Sequence, residues 1–504
     1  MSPRPWLYLL LPVLALLLYL PGRSHPFVYD DHGVILENAF LAQPDALHRT
    51  LTLHTFTDPT VIDGQRPTLL LTYLLDHTLH RDAPSRWRLT NYLLHALVLI
   101  ALAGLWMRLG LPPAWSGCLA LLTGLHPLAV EAIHSPAFRE DPLALLLSLA
   151  FLHLLILPAH ANRLLPVRAA AASISFLLAL LAKESALFAP ALLIALRFLF
   201  PQRLPSWRAL LPVLLLCAIA TLTFLLVSHL HRPLQAVGLP WNGRSLLFPH
   251  TLLTAPWLLL DYLLRVLLPF GLTVDYVVPP VTTLLNLRGV TGLALLAFLA
   301  LLWINAPTLS PRHPALLRLS IAWILLAFLP VSNLLPLFNP FADRYAYALL
   351  PGFALLIATL LIPRDPFLPR TLFIILLLAY ALLTSHQLTT WRSDESLWTH
   401  TLRHQPHSDR AHTWLGLLER EAGNRDLARK YFQRARELNP HEVSAAVNLA
   451  ILEGEAGRLQ EAEQQLRDIL ARRPDHPQAR ANLAHALRLQ GREKEAQSIL
   501  AESP

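Results

Sequence analysis

Residues 113–158 read PAWSGCLALLTGLHPLAVEAIHSPAFREDPLALLLSLAFLHLLILP, and this stretch decides the class of the fold. Two apolar runs, 113–130 and 142–158, are each long enough to cross roughly 30 Å of hydrocarbon. The connection between them gathers His126, Glu131, Arg139, Glu140 and Asp141. Ionisable side chains at the end of a membrane helix are costly without partners or water, so this connection marks a boundary with a polar task. Further runs follow the same pattern at 6–21, 89–107, 166–182, 186–200, 209–228, 287–304, 316–335, 345–362 and 370–388, which predicts eleven spans. The run at 252–270 carries Asp261 and Arg265 one helical turn apart, so it is expected to lie in the outer interface; as a twelfth span it would send the C-terminus inside.

Composition agrees. The 504 residues are 54% hydrophobic and 15% charged, against a globular norm of roughly 45–50% and about 25%. Residues 391–504 hold 17 of the 33 acids and 17 of the 41 Lys and Arg, so the net charge of +8 belongs to residues 1–390. Arginine at the ends of apolar runs is membrane topology, not a nucleic-acid face, and no nucleic-acid partner is expected. With a cytoplasmic N-terminus the inner loops carry Arg108, Arg163, Arg168, Arg197, Arg203, Arg208, Arg312, Arg318, Arg364 and Arg370, with Asp365 their one acid. The remaining acids of this part then face outward, as does the C-terminal region.

Residues 6–20 are apolar behind Arg4 and lack a small-residue cleavage site, which reads as an uncleaved anchor. Cys118 and Cys217 lie inside apolar runs and support neither a disulfide framework nor a thiolate metal site. The near absence of lysine beside abundant Arg, Leu and Pro suggests a GC-rich bacterial genome and an inner-membrane location.

Beyond residue 391 the pattern becomes amphipathic and repeats. Gly423, Gly457 and Gly491 are 34 residues apart, and so are Leu415, Leu449 and Leu483, Ala428, Ala462 and Ala496, and Pro406, Pro440 and Pro474. A helix-turn-helix period of 34 is that of tetratricopeptide repeats, here about 408–441, 442–475 and 476–504, preceded by a helix over 395–404. Such stacks offer a groove for peptides or partner helices; a spacer covering the outer face is the alternative.

The predicted outer side holds the candidate chemistry. The first outer loop, 22–88, opens with Val28-Tyr29-Asp30-Asp31-His32, where one carboxylate suits a general base and its neighbour orients it. A solvated or capping pair is the alternative reading. Lys183, the one lysine before residue 430, adjoins Glu184, and its compact ammonium suits a lipid-linked phosphate; a helix-end pair with Glu184 is the alternative. Ser332-Asn333-Leu334-Leu335-Pro336 precedes Asp343-Arg344-Tyr345, where the Arg344 fork matches phosphate oxygens; an Asp343–Arg344 surface pair is the alternative. Asp275-Tyr276 forms a weaker fifth patch, and Arg66 in the first loop suits acceptor binding or loop packing. No phosphate-loop, dinucleotide, zinc-protease or serine-hydrolase motif occurs. His126, His134 and the nearby carboxylates do not have diagnostic metal spacing; a divalent cation is possible but a metal-free site is preferred, and no cofactor is called for.

In order and in placement relative to the spans, these features resemble the type C membrane glycosyltransferases, specifically the tetratricopeptide-bearing O-mannosyltransferase-like proteins and their bacterial relatives. The resemblance rests on Tyr29-Asp30-Asp31, His126-Pro127 with Glu131 and Arg139, Ala182-Lys183-Glu184-Ser185, Ser332-Asn333-Leu334, Arg344-Tyr345 and the trailing repeats. It departs at Phe138, where the family usually has Gly, and at Asp343, where Glu is common. The resemblance implies an all-α polytopic bundle at 1–390 followed by repeats at 391–504. It also implies that Asp30 with Asp31 is the acidic catalytic site, and that a mannose-like sugar passes from a polyprenyl-phosphate donor to an acceptor hydroxyl on the outer, periplasmic face.

On that reading the enzyme inverts at the anomeric carbon. Asp30 deprotonates the acceptor, Arg344, Lys183 and Arg139 bind the donor phosphate, and His126, Glu131, Glu140, Asp141, Glu184 and Tyr345 support them. The repeats hold an acceptor protein or peptide. A non-catalytic membrane scaffold presenting the repeats for envelope assembly is the competing class; a transporter fits less well, with no acid mid-span and no inverted repeat.

Overall fold

The computed structural model describes residues 7–156, 165–231, 240–241, 244–245, 250–283, 285–335, 337, 339–361, 367–441 and 443–501. Arg4, Arg163, Pro336, Arg364 and Asp365, which entered the topology and motif readings, lie outside these residues. The protein is all-helical apart from a two-residue ladder pairing Pro240–Trp241 with Arg244–Ser245. It divides into two compact units, Met1–Val237 with Leu247–Leu272 and Pro280–Asp394, and Gly238–Leu246 with Thr273–Pro279 and Glu395–Pro504.

In the first unit most residues of each expected apolar run are helical where described, with non-helical backbone at positions that include 125–126, 332–335 and 347–349. Proline sets several of the starts, at Pro67, Pro84, Pro113 and Pro314, because its missing N–H is lost at no cost in the first turn. The first outer loop is more ordered than expected: it contains the helix Pro67–His80, and the following helix begins at Pro84, inside the predicted loop.

Among the described residues five helices are long and apolar enough to cross a membrane alone, Pro84–Leu109, Trp207–Ser228, Leu287–Ile304, Pro314–Val331 and Thr371–Thr390. The expected count of eleven therefore includes runs that the fold shortens or breaks. Phe188–Leu199, with 12 residues, reaches only about 18 Å at the α-helical rise. The run at 113–130 becomes Pro113–Gly124 and Pro127–His134, bent by 61°. Its break follows from Pro127, which disfavours helical backbone at His126 and supplies no N–H. The His126 ring caps the next turn, its Nδ1 accepting from Leu128 N at 3.2 Å. The bend turns Val130–His134 and Pro136–Phe138 back into the protein, where every residue from Pro127 to Phe138 is buried.

The second unit is a run of helix pairs, Asp409–Glu421 with Arg425–Leu438, Val443–Glu455 with Leu459–Arg472, and Pro477–Leu489 with Glu493–Ala501. Ala428, Ala462 and Ala496 are buried at the helix crossings. Gly416 permits the closest approach, since a Cβ there would lie 2.6 Å from the Phe432 ring. Gly423, Gly457 and Gly491 turn the chain with φ of +83°, +79° and +80°, left-handed values that explain why glycine recurs at this step. Asp275 belongs to this unit, accepting from Ser408 Oγ at 2.6 Å and from Arg410 at 3.1 Å, while Tyr276 Oη accepts from Thr273 N. The fifth patch is therefore a brace for the first repeat helices.

Candidate active site

The turn at residues 28–32 is built around two carboxylates with opposite surroundings. Asp31 is fully buried; its Oδ1 accepts from Ser135 Oγ at 2.7 Å and Ala137 N at 3.0 Å, and its Oδ2 accepts from Val28 N at 3.3 Å. Arg88 stands 4.0 Å away, itself buried and donating to the carbonyls of Arg23, His25, Pro26 and His134. Burial pushes the Asp31 carboxyl above its ordinary value, against the pull of Arg88 and the three donors. With its oxygens occupied, Asp31 fastens the first loop to the connection at 135–137. Of the pair, Asp31 has the contacts of the orienting neighbour, and Asp30 is half-buried.

Tyr29, just before the pair, has φ +55°, which is uncommon for a non-glycine residue and persists only where neighbours hold it. Asp394 is one such neighbour, its Oδ1 accepting from Tyr29 N at 2.7 Å and its Oδ2 from His32 Nε2 at 2.7 Å. The hydrogen bond to Asp394 raises the His32 imidazole above its ordinary 6.5. A raised histidine value means that this clamp is fully made below pH 6.5 and is lost as pH rises through the raised value. Protease resistance of the first loop is therefore expected to fall on the alkaline side. In Asp394→Asn, which keeps an acceptor for Tyr29 N, the fall should move to lower pH; an unchanged profile would remove His32 from the clamp.

From this turn the polar residues continue as one belt. The Tyr29 ring lies 6.1 Å from the Phe138 ring, and the Arg344 guanidinium sits 4.1 Å above Phe138 and 5.1 Å from the Tyr345 ring. Phe138, where the resemblance leads one to expect Gly, thereby provides a cation–π platform. Glu131 accepts from Arg344 N at 2.9 Å and forms a short pair with Arg344 Nη1. The pairing that the structure shows for Arg344 is with Glu131, contributed by a distant segment.

Across Tyr345, Lys183 lies 5.4 Å from the ring; its Nζ is 2.6 Å from Asp141 and 3.5 Å from Glu140. Arg66 follows, 3.7 Å from Glu140 and forked onto Glu184 at 3.1 and 3.2 Å, so Glu184 pairs with Arg66 and not with Lys183. Among the described residues two buried acceptors of this belt have no hydrogen bond, Asp141 Oδ2, which has the Lys183 ammonium beside it, and Glu140 Oε2, in a side chain 6% exposed, which has no cation assigned to it. A buried orphan of this kind calls for a ligand or a functional explanation.

Two expected members fall outside the belt. Arg139 is fully buried, and its five N–H groups meet five acceptors: Asn91 Oδ1, Thr72 O and Oγ1, Asp76 Oδ2 and Trp87 O. No donor remains for a phosphate, so the expectation for Arg139 is corrected to that of an anchor joining the helices Pro67–His80 and Pro84–Leu109. His126 packs on Tyr380 at 4.4 Å with Nε2 3.0 Å from Val266 O, and its ring nitrogens are engaged by Val266 O and Leu128 N. Asn333 holds its own loop, with φ +60° and its Oδ1 accepting from Leu337 N. Among the described residues no group of three or more His, Cys, Asp or Glu is arranged to hold a metal ion.

Sequence reasoning missed Arg88 and Asp394. A signal for Arg88 was present, a charge at the start of an apolar run. None existed for Asp394, which acts on a turn 362 residues earlier.

Comparison with known proteins adds the following. Residues 395–443 and 454–504 match models of the tetratricopeptide repeat. No curated protein matches the chain. A crystal structure of ArnT from Cupriavidus metallidurans bound to undecaprenyl phosphate is similar at 14% identity, covering 92% of this chain and 80% of that one with a TM-score of 0.42. A likeness that weak bears on neither activity nor substrate.

Proposed function

We propose that this multi-pass membrane protein is a glycosyltransferase that moves a mannose-like sugar from a polyprenyl-phosphate donor to an acceptor hydroxyl at the outer face, with the repeats binding a protein acceptor. The observation that carries this reading is the belt itself. A half-buried carboxylate beside a fully buried one, an arginine on an aromatic platform and a buried carboxylate oxygen without a hydrogen bond occur together where apolar helices end.

The chemistry balances with these groups. The acceptor oxygen attacks the anomeric carbon while Asp30 takes its proton, and the bond from that carbon to the phosphate oxygen breaks with inversion. The leaving phosphate carries the charge, and Arg344 meets it: Glu131 occupies Nη1, and among the described residues Nε and Nη2 have no hydrogen bond, which leaves them for phosphate oxygens. Lys183 is committed to Asp141 and Glu140, and its contribution is to keep those carboxylates in place, while Glu140 Oε2 suits a sugar hydroxyl.

The test is transfer by the full-length chain in proteoliposomes supplied with a polyprenyl-phosphate mannose and an acceptor peptide. The expected result is labelled acceptor with equimolar release of polyprenyl phosphate. Absence of transfer from any polyprenyl-phosphate sugar would leave the scaffold reading in its place.

A further inference from the structure

At the other end of the helix Pro84–Leu109 an open groove of about 560 Å³ is lined by Leu9, Leu97, Ile100, Gly104, Leu146 and Ala150, with Arg108 and His153 at its limit. Its volume falls within the roughly 300–1,000 Å³ typical of ligand sites. The floor is kept low by Gly104, where a Cβ would come within 3.4 Å of the His153 ring.

The charge at its limit is unbalanced. Arg108 donates to His153 O at 2.9 Å and Ile156 O at 3.4 Å, while Arg168 donates to Leu154 O at 2.9 Å and to the same His153 O at 3.4 Å. All four bonds end on carbonyls at the end of the helix Glu140–Leu155, and among the described residues neither guanidinium is paired with a carboxylate. A helix C-terminus offers roughly half a negative charge, which leaves two full positive charges well short of neutral. Arg203 adds to the excess, its Nη2 3.9 Å from the place of a Cβ at Gly110.

We infer that this groove is a binding site for an anionic phospholipid, one acyl chain lying along Leu97, Ile100 and Gly104 and the phosphate bridging Arg108 and Arg168. A phosphate supplies the missing charge and an acyl chain covers the apolar wall, as in basic pockets between membrane helices. The occupant is not the sugar donor of the candidate active site. Arg88 and Arg108 are twenty residues apart on one continuous helix, about 30 Å, which is the thickness of the hydrocarbon core. The groove therefore opens at the opposite leaflet, and the inference is independent of the proposed transferase activity.

Lipid retained by the full-length chain in detergent, read by native mass spectrometry after exposure to phosphatidylglycerol or phosphatidylcholine, tests this. The wild type should retain phosphatidylglycerol at least several-fold better. Arg108→Gln with Arg168→Gln should erase that preference, and Gly104→Leu should reduce retention of both lipids. Equal retention of the two lipids by the wild type would overturn the site, and needs no variant to fold. A preference that survives in the double variant would also overturn it, as would displacement of phosphatidylglycerol by polyprenyl phosphate, which would make the groove a donor site.

Discussion

Asp30→Asn is expected to lower sugar transfer by about 10²- to 10⁴-fold, the range for removing a general base, with membrane insertion and thermal stability close to wild type. The half-buried Asp30 can be replaced by an isosteric amide without opening a cavity. Asp31→Asn should behave differently. One of its oxygens becomes an NH2 facing the donors of Ser135, Ala137 or Val28, and the buried Arg88 loses the counter-charge of Asp31. That variant should lose folded protein first and activity as a consequence. Wild-type transfer by Asp30→Asn would sink the base assignment, whereas equal loss of stability in both variants would mean that the pair is wholly structural.

Arg344→Gln is expected to produce the largest combined loss. It leaves Glu131 buried and charged without its partner, a situation that costs about 3–5 kcal/mol. Glu131→Gln in the same chain removes the stranded charge, so the double variant should recover much of that stability. Transfer should not recover, because the donors facing the leaving phosphate are still missing. If the double variant regains transfer together with stability, Arg344 serves only as the partner of Glu131, and the phosphate must be met by another group.

These two comparisons separate roles that the residue types alone leave merged. Tyr29-Asp30-Asp31 is visible as an acidic motif at a membrane boundary, yet the full burial of Asp31 depends on Ser135, Ala137 and Arg88, contributed by other segments. Arg344 and Arg139 look alike in sequence, each an arginine beside acids or aromatics near the end of an apolar run. In the fold, Arg139 is enclosed by five acceptors, whereas among the described residues Arg344 donates hydrogen bonds through Nη1 and its backbone N alone. Likewise, Lys183-Glu184 suggests a local pair, but neighbours in sequence point apart here, and the carboxylates that meet Lys183 are Glu140 and Asp141.

The apolar runs, their arginine-rich ends and the 34-residue step are legible in the chain alone, because hydrophobic length and helical period are local properties that need no knowledge of neighbours. So is the presence of a polar cluster at helix ends. Only the tertiary structure decided that the run at 113–130 breaks at His126-Pro127 and folds its second half inward, bringing Glu131 to Arg344 across 213 residues and Ser135 to Asp31 across 104. The physical reason is that a buried charge is tolerated only beside its partner, and partners separated by long stretches of chain are chosen by packing, which no local pattern encodes.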